Sequence, residues 1–212
     1  MCLETMSIFR LIIAGGWPIF LLLSLSVASL SFIVERFLFL RRSRVLPPEL
    51  PEQVLNEYRQ TYMLPDVTLE NLSSHSLLGR FLSLIVRHAN SSPEKMRELL
   101  SVESLLVSRQ LERFLNAIGT IASIAPLMGL FGTVIGMIEI FAAHSTDGSY
   151  DPLVLAHGIS VALYNTALGL AVAIPSLICY RYFRSVADGF LSDMEHISMN
   201  FFYAVQEAYA ER

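Results

Sequence analysis

The sequence predicts an all-α integral membrane protein with three transmembrane helices, of which the second and third are long and extend into the cytoplasm. Of the 212 residues, 53% are hydrophobic and only 16% are charged, whereas about a quarter of a soluble domain is charged. Three runs are each long enough to cross a bilayer core, which takes about 20 apolar residues. Arginines also gather at particular ends of these runs. Buried helices of a soluble core are the alternative, but three such runs rarely occur together in a short soluble chain.

The predicted spans divide the chain into seven segments. In chain order these are a short N-terminal segment (1–16), transmembrane helix one (17–40), a helical segment (41–116), transmembrane helix two (117–143), a hairpin (144–152), transmembrane helix three (153–180) and a C-terminal helix (181–212).

Arginine placement predicts the orientation, because loops that carry Lys and Arg stay in the cytoplasm. The arginines concerned follow the first span, precede the second or follow the third: Arg36, Arg41, Arg42, Arg44, Arg109, Arg113, Arg181 and Arg184. The hairpin holds Asp147 and Asp151 but no basic residue, and the N-terminal segment holds only Arg10. We therefore expect 1–16 and 144–152 to lie on the outer, periplasmic side of the membrane, with 1–16 at or near its surface. We expect 41–116 and 181–212 to lie in the cytoplasm.

The segment between the first two spans contains local signals for helix starts and stops. Its prolines, which break the early part into short pieces, are Pro47, Pro48, Pro51 and Pro65. Leu77 to Ala89 has the pattern of a short amphipathic helix. Ser91-Ser92-Pro93-Glu94 is typical of a helix start, with a capping serine and a proline in the first turn. With no clear stop afterwards, we expect one helix from Pro93 to Ala143, about 75 Å long at 1.5 Å per residue.

Several function classes are not expected. The formal net charge of −4 gives no basic field for nucleic acid. Cys2 and Cys179, at opposite ends of the chain, have no metal-ligand spacing and make a poor disulfide framework. No nucleophile–base set, phosphate-binding loop or metal-ligand cluster is visible, so we predict no enzyme activity, cofactor or metal.

Small residues mark the membrane helices. Gly129, Gly132 and Gly136 fall on one stripe of the second span, and Gly169 lies in the third. Such residues let helix backbones approach closely. We expect them to serve helix packing and, through it, the assembly of several copies.

Polar residues within the second and third spans suggest a second role. Thr133 lies near mid-membrane in the second span, and Asn165 and Thr166 lie at the centre of the third. Since the two spans are antiparallel neighbours, the threonines should fall at similar depth. A membrane threonine usually bonds its own backbone, so the residues either line a polar pore or satisfy themselves within their helices.

The central parts of these spans lack a carboxylate, although a proton relay in a membrane normally uses Asp, Glu or His. If protons cross here, the titrating group must come from another chain. Glu139 and His157 lie near the outer span ends, where water reaches them. Glu139 is either on the side where protons enter or a solvated helix-end charge, and we expect His157 to be interfacial.

These residues also carry a family resemblance. Ala125 to Gly136 (APLMGLFGTVIG) and Gly158 to Pro175 (GISVALYNTALGLAVAIP) resemble the second- and third-span signatures of the MotA/TolQ/ExbB proton-channel family. Glu35-Arg36, followed by Arg41-Arg42, resembles the end of its first span. Length and span number make the chain most similar to ExbB, with TolQ next, because MotA members are longer and have four spans.

The resemblance implies a pentamer in a bacterial inner membrane, with a central pore lined by the second and third spans. Two single-span partners resembling ExbD or TolR would sit in the pore, each supplying a membrane Asp. Thr133 and Thr166 match the family's pore-lining threonines, and Asn165, Ser160 and Glu139 complete the candidate proton pathway. A TonB- or TolA-like protein would carry the work to the outer membrane.

The implied function is a proton-driven motor subunit that energises TonB-dependent transport. Alternatives are a TolQ-like role in envelope maintenance and a passive scaffold or transporter component. One departure from the pattern is Val161, beside Ser160, where ExbB and TolQ members carry a Glu; Glu139 is the candidate substitute.

Overall fold

A computed structural model of the chain describes residues 16–61, 64–147 and 152–210, without the side chains of 143–147, 152–155 and 157. These residues are mostly helical and form no strand. In chain order the helices are α1 (Trp17–Phe39), α2 (Arg42–Val45), α3 (Leu50–Thr61), α4 (Asp66–His75), α5 (Leu77–Arg87), α6 (Pro93–Leu111), α7 (Leu115–Asp147) and α8 (Pro152–Ala210). The predicted all-α membrane fold is confirmed, since α1, α7 and α8 are each long and apolar enough to cross a membrane.

The described chain forms two compact units. The span unit comprises the residues up to Glu35 together with Phe114–Arg181, and the bundle unit comprises Arg36–Arg113 with Tyr182–Arg212.

In the span unit, α1 packs against both α7 and α8. Leu22, Ala125 and Ala173, one from each helix, are buried together. The hydroxyls of Ser29 in α1 and Ser176 in α8 lie 2.6 Å apart and share a buried hydrogen bond. A hydrogen bond between membrane helices adds to the van der Waals packing that holds them together.

In the bundle unit, helix starts follow the local signals in the sequence. The Ser92 side chain accepts a hydrogen bond from the Lys95 backbone N–H, and Pro93 occupies the first turn of α6, as predicted. Ser76 caps α5 in the same way by accepting from Gly79 N–H. The amphipathic helix expected from Leu77 is confirmed as α5, which ends at Arg87.

The C-terminal part of α8 supplies one face of the bundle unit. Its buried residues recur every three or four positions: Phe183, Ala187, Phe190, Met194, Ser198, Phe201, Val205 and Ala208. Such spacing keeps one stripe of a helix against its neighbours. The Gln206 side chain also donates to the Ser91 carbonyl, at 3.1 Å, next to the start of α6. The expected continuation of the third span is confirmed, because α8 is unbroken for 59 residues.

The prediction of a single helix from Pro93 to Ala143 is wrong. The helix ends at Leu111 and α7 begins at Leu115. Phe114, in the connecting turn, has a φ of 64°, in the left-handed region that bulky residues avoid. In the span unit its ring stacks on Phe32 at 5.1 Å between centroids. The turn at 112–114 contains no glycine or proline that would predict it from the sequence. A contact with a residue distant in sequence, Phe32, stabilises it instead.

Arg36 caps the C-terminal end of α6. Its side chain is buried, with 1% exposure, and Nη1 donates to the carbonyls of Gln110 at 3.3 Å and Leu111 at 3.1 Å. In a continuing helix these carbonyls would accept from residues 114 and 115. The guanidinium also lies 4.6 Å from the centre of the Phe39 ring, close enough for a cation–π interaction. Arg36 thus serves as a C-terminal cap from a distant helix.

Other segment boundaries also differ from the prediction. The hairpin expected at 144–152 is shorter, because α7 is helical to Asp147 and α8 starts at Pro152. Residues 148–151 lie outside the described residues, as do 1–15 of the N-terminal segment. The described part of 181–212 belongs to α8, in agreement with the expected extension of the third span.

Candidate functional site

The candidate site centres on two threonine hydroxyls in the span unit. Thr133 Oγ1 of α7 and Thr166 Oγ1 of α8 lie 3.4 Å apart. Thr133 Oγ1 also donates to the Leu130 carbonyl at 2.6 Å. Because this bond uses the Thr133 proton, its lone pairs are left to accept from Thr166. The contact between the hydroxyls is long, and both side chains are partly exposed, so the Thr166 hydroxyl can turn toward another acceptor.

Glycines bring the two helices together around this pair. A Cβ on Gly129 would lie 2.7 Å from the Asn165 carbonyl oxygen, and one on Gly169 would lie 2.6 Å from the Ala125 carbonyl oxygen. Both distances are below any normal contact, so α7 and α8 touch backbone to backbone here. Gly136 continues the contact, with Ala162 Cβ 3.1 Å from its Cβ position.

This geometry changes the interpretation of the glycine stripe. We expected it to support assembly of several copies, but its free space is filled by α8 of the same chain. A glycine stripe admits whichever backbone lies nearest, and here that is the antiparallel neighbour. The stripe therefore gives no independent support for an oligomer.

Asn165 does not lie where we expected. We placed it among the pore-lining residues, but it is 1% exposed and packs against Gly132, whose Cβ position lies 2.9 Å from the amide carbon and nitrogen. Adjacent residues point about 100° apart around a helix. Thr166 therefore reaches the surface of the chain, while Asn165 turns into the α7–α8 contact.

Ser160 and Glu139, the other candidates, are exposed. Ser160 donates to the Ala156 carbonyl at 2.9 Å, so its hydroxyl proton is already used within its own helix. Each residue lies six positions from its nearest threonine, about 9 Å along the helix axis and on a different face. The structure thus does not bring either residue to the threonine pair.

The surroundings of the pair are uncharged. From Phe114 to Ile138 and from Gly158 to Tyr180 the sequence contains no Asp, Glu, His, Lys or Arg. Threonine hydroxyls hydrogen-bond but do not titrate near neutral pH. The pair can therefore hold or orient a proton carrier, while the carrier itself must be supplied by another group.

Sequence reasoning missed a polar groove near the start of α7. Asn116, Thr120 and Ser123 are exposed there. With Tyr180 of α8, and beside Gly119 and the apolar Ile124 and Leu177, they line an open cavity of about 490 Å³. Gly119 makes room for Tyr180, whose ring atoms lie 3.1–3.3 Å from the Cβ position of the glycine. The spacing of the three polar residues, four and then three, places them on one helix face and was available as a signal.

A second open cavity, of about 450 Å³, lies further along α7. Thr133 is its one polar lining residue, and the others are Val134, Met137, Ile138 and Phe141. The exposed face of α7 is therefore polar at its start and apolar at its far end.

Together, the fold and the site define a multi-pass helical membrane protein with a hydroxyl pair held between two spans. Residues 73–196 match the profile of the MotA/TolQ/ExbB proton channel family. Since this match covers more than half of the chain, the protein belongs to that family, whose members are proton channels rather than enzymes.

Three relatives illustrate the similarity. The biopolymer transport protein exbB1 of Vibrio cholerae is 28% identical over 191 residues, covering 85% of this chain and 79% of that protein. A biopolymer transport protein of Synechocystis sp. named ExbB-like 1 is 31% identical over 175 residues, covering 81% and 68%. The ExbB homolog of Methanothermobacter thermautotrophicus is 28% identical over 201 residues, covering 93% and 71%.

Proposed function

We propose that this chain is the ExbB-like proton-channel subunit of an inner-membrane motor that uses the proton motive force to energise TonB-dependent transport at the outer membrane. The observation that carries the proposal is the contact between the Thr133 and Thr166 hydroxyls in the central parts of two spans, where the sequence has no carboxylate. The names of the relatives, biopolymer transport proteins, favour this role over the TolQ-like alternative in envelope maintenance.

The missing titratable group defines the partner. A single-span protein resembling ExbD or TolR, with one Asp within the membrane, would bring the carboxylate that the chain lacks. Several copies of the chain, five by family resemblance, would surround it and turn their threonine pairs toward it. A TonB- or TolA-like protein would then carry the work to the outer membrane.

The hydroxyl pair suits both charge states of such an Asp. When the Asp is ionised, the Thr166 hydroxyl can leave its long contact with Thr133 and donate to the carboxylate. When the Asp is protonated, its O–H can donate to a threonine oxygen. A neutral Asp can also cross the apolar surface of Val134 and Ile138, whereas a charged Asp pays a large penalty there. Cycles of protonation would thus alternate between holding and releasing the partner.

Removing both hydroxyls should abolish energy-dependent function. Thr→Val keeps the shape and deletes the hydrogen bond, worth about 1–2 kcal/mol in a membrane by model-peptide estimates and often less. Single variants should therefore slow the motor, and the Thr133→Val, Thr166→Val double variant should stop it. The measurement is complementation of proton-driven uptake in cells that lack the native chain, with complex assembly checked in parallel.

The matched control is the Thr133→Ser, Thr166→Ser double variant, which keeps both hydroxyls and should retain activity. Full activity of the double valine variant would leave the threonines as packing residues and favour the passive scaffold.

The proposed orientation places Arg36–Arg113 and Tyr182–Arg212 in the cytoplasm. A cysteine at Ser149, in the link outside the described residues, should react with an impermeant reagent from outside the cell. A cysteine at Ser101, which is exposed on α6, should react only after the cells are opened. The measurement is labelling of intact and lysed cells after the native cysteines are replaced, and the reverse pattern would contradict the orientation.

A further inference from the structure

The polar groove at the start of α7 has no part in the function proposed so far. Its three α7 residues, Asn116, Thr120 and Ser123, lie within the first nine residues of a helix in which Thr133 is the one other polar side chain before Glu139. At 1.5 Å per residue, Ser123 is about 12 Å from the helix start, well beyond the interfacial end of the span. Tyr180 places a fourth polar side chain on the opposite wall.

Each hydroxyl of this face is already anchored on its own helix. Thr120 Oγ1 donates to the Asn116 carbonyl at 2.7 Å, and Ser123 Oγ donates to the Gly119 carbonyl at 3.0 Å. The lone pairs of both oxygens therefore remain outward as acceptors, and the Asn116 amide adds two donors and one acceptor. Polar groups at membrane depth normally face protein or a water-filled cavity rather than lipid. A cavity of about 490 Å³ has room for several waters, each taking about 30 Å³.

A dry stretch separates this groove from the threonine pair. Ser123 is ten residues before Thr133, about 15 Å along the axis. The exposed residues between them are all apolar: Ile124, Leu127, Leu130 and Phe131, of which Leu127 (63%) and Leu130 (55%) are the most exposed. Beyond the pair the same face stays apolar, through Val134 to Phe141. On α7, the polar residues that can hold water next to this dry stretch therefore lie toward the start of the helix, the side on which Arg113 precedes α7 and Arg181 follows the span of α8 in the sequence.

We propose that the groove lined by Asn116, Thr120, Ser123 and Tyr180 is a water-filled half-channel that receives protons released near Thr133 and Thr166. Leu127 and Leu130 form the dry barrier between the two. The inference rests on the proposed function for its direction, since the arginine-flanked side is the cytoplasmic side in that proposal. The groove then serves as the proton exit, and a one-sided exit prevents an uncoupled leak.

Cysteine accessibility tests the groove without requiring proton transport. In the assembled complex, with Cys2 and Cys179 replaced by Ser, a charged thiol reagent is applied from the arginine-flanked side. Cysteines at Thr120 and Ser123 should react on the order of tenfold faster than one at Leu30, because a thiol in apolar surroundings does not form the reactive thiolate. Leu30 is a matched control: it is exposed on α1, and its neighbour Ser29 bonds Ser176, which places it near the depth of the groove.

The outcomes separate the parts of the proposal. Equal, slow reaction at Thr120, Ser123 and Leu30 would show that the groove faces lipid and would overturn the inference. Fast reaction at Leu127, comparable with that at Ser123, would overturn the dry barrier. The labelling pattern does not depend on activity. It therefore tests the groove, whereas the Thr133→Val, Thr166→Val variant tests the proposed function, and either can fail without the other.

A second measurement links the groove to proton flow. Ser123→Leu, which fills the groove with an apolar side chain, should lower proton flux through the assembled complex on the order of tenfold, while Leu30→Ile on α1 should leave it unchanged. An unchanged flux in Ser123→Leu, with assembly intact, would show that protons leave by another route.

Discussion

Gly169→Ala is expected to separate α7 from α8 and to destabilise the span unit. The added methyl would lie 2.6 Å from the Ala125 carbonyl oxygen and 3.0 Å from Gly129 Cα. Both are backbone atoms, so no side-chain rotation can relieve the contact. Overpacking typically costs about 1–3 kcal/mol and sometimes more, and movement of the helices would also pull Thr133 from Thr166. The measurement is the unfolding midpoint in detergent, together with proton-driven activity.

Two other glycines give a graded comparison. At Gly136 the nearest atom to an added methyl is Ala162 Cβ at 3.1 Å, a contact that a small shift can relieve, so Gly136→Ala should cost less. Gly189, in the bundle unit, has open space around its Cβ position. Gly189→Ala should therefore raise stability by up to about 1 kcal/mol through helix propensity alone. If Gly169→Ala and Gly136→Ala unfold alike, the close backbone contact is wrong.

Arg36→Ala should have a similarly large effect in the bundle unit. It leaves the Leu111 carbonyl without its buried donor, while the Gln110 carbonyl keeps only the long bond from Arg113 N–H at 3.4 Å, and it removes the guanidinium from the Phe39 ring. An unsatisfied buried polar group costs about 1–3 kcal/mol, so the Leu111 carbonyl predicts a loss of about that size, to which the lost packing on Phe39 adds. The loss should appear in the unfolding midpoint and as early proteolysis near the end of α6.

Two controls isolate the geometry of the guanidinium. Arg36→Lys keeps the charge but lacks the flat guanidinium that donates to the carbonyls while lying over the Phe39 ring, so it should recover only part of the loss. Arg42→Ala removes an exposed arginine whose pair with Asp193, at 3.5 Å, is a surface contact worth about 0–1 kcal/mol. If Arg36→Ala and Arg42→Ala lower the unfolding midpoint equally, then positive charge near the first span, and not the cap on α6, stabilises the bundle unit.

Local signals explain what the sequence predicted well. A run of apolar residues identifies a span wherever it lies, because the bilayer sets the required length. Ser92 and Pro93 start α6 through their own capping chemistry. The approach of Thr133 to Thr166 was predictable because two antiparallel neighbouring spans must bring their middle residues to one depth.

The remaining features depend on contacts that local sequence does not contain. The turn at Phe114 has no glycine or proline, and it is held by Phe32 and by the Arg36 cap on α6. Asn165 and Thr166 look equivalent in sequence, since both are polar and lie at the centre of the span. Because adjacent residues point about 100° apart around a helix, the Asn165 amide is buried while the Thr166 hydroxyl is partly exposed. Predicting this difference required knowing which face of α8 meets Gly132.

The unbroken course of α8 constrains how this chain can change in length. In the bundle unit its buried residues keep one phase from Phe183 to Ala208 without a turn in which an extra residue could be accommodated. One residue inserted after Phe190 would turn every later residue by about 100° relative to Phe183 and Phe190, carrying Met194 and Phe201 off the buried stripe. Insertions of about seven or eleven residues nearly restore the phase, each to within about 20°.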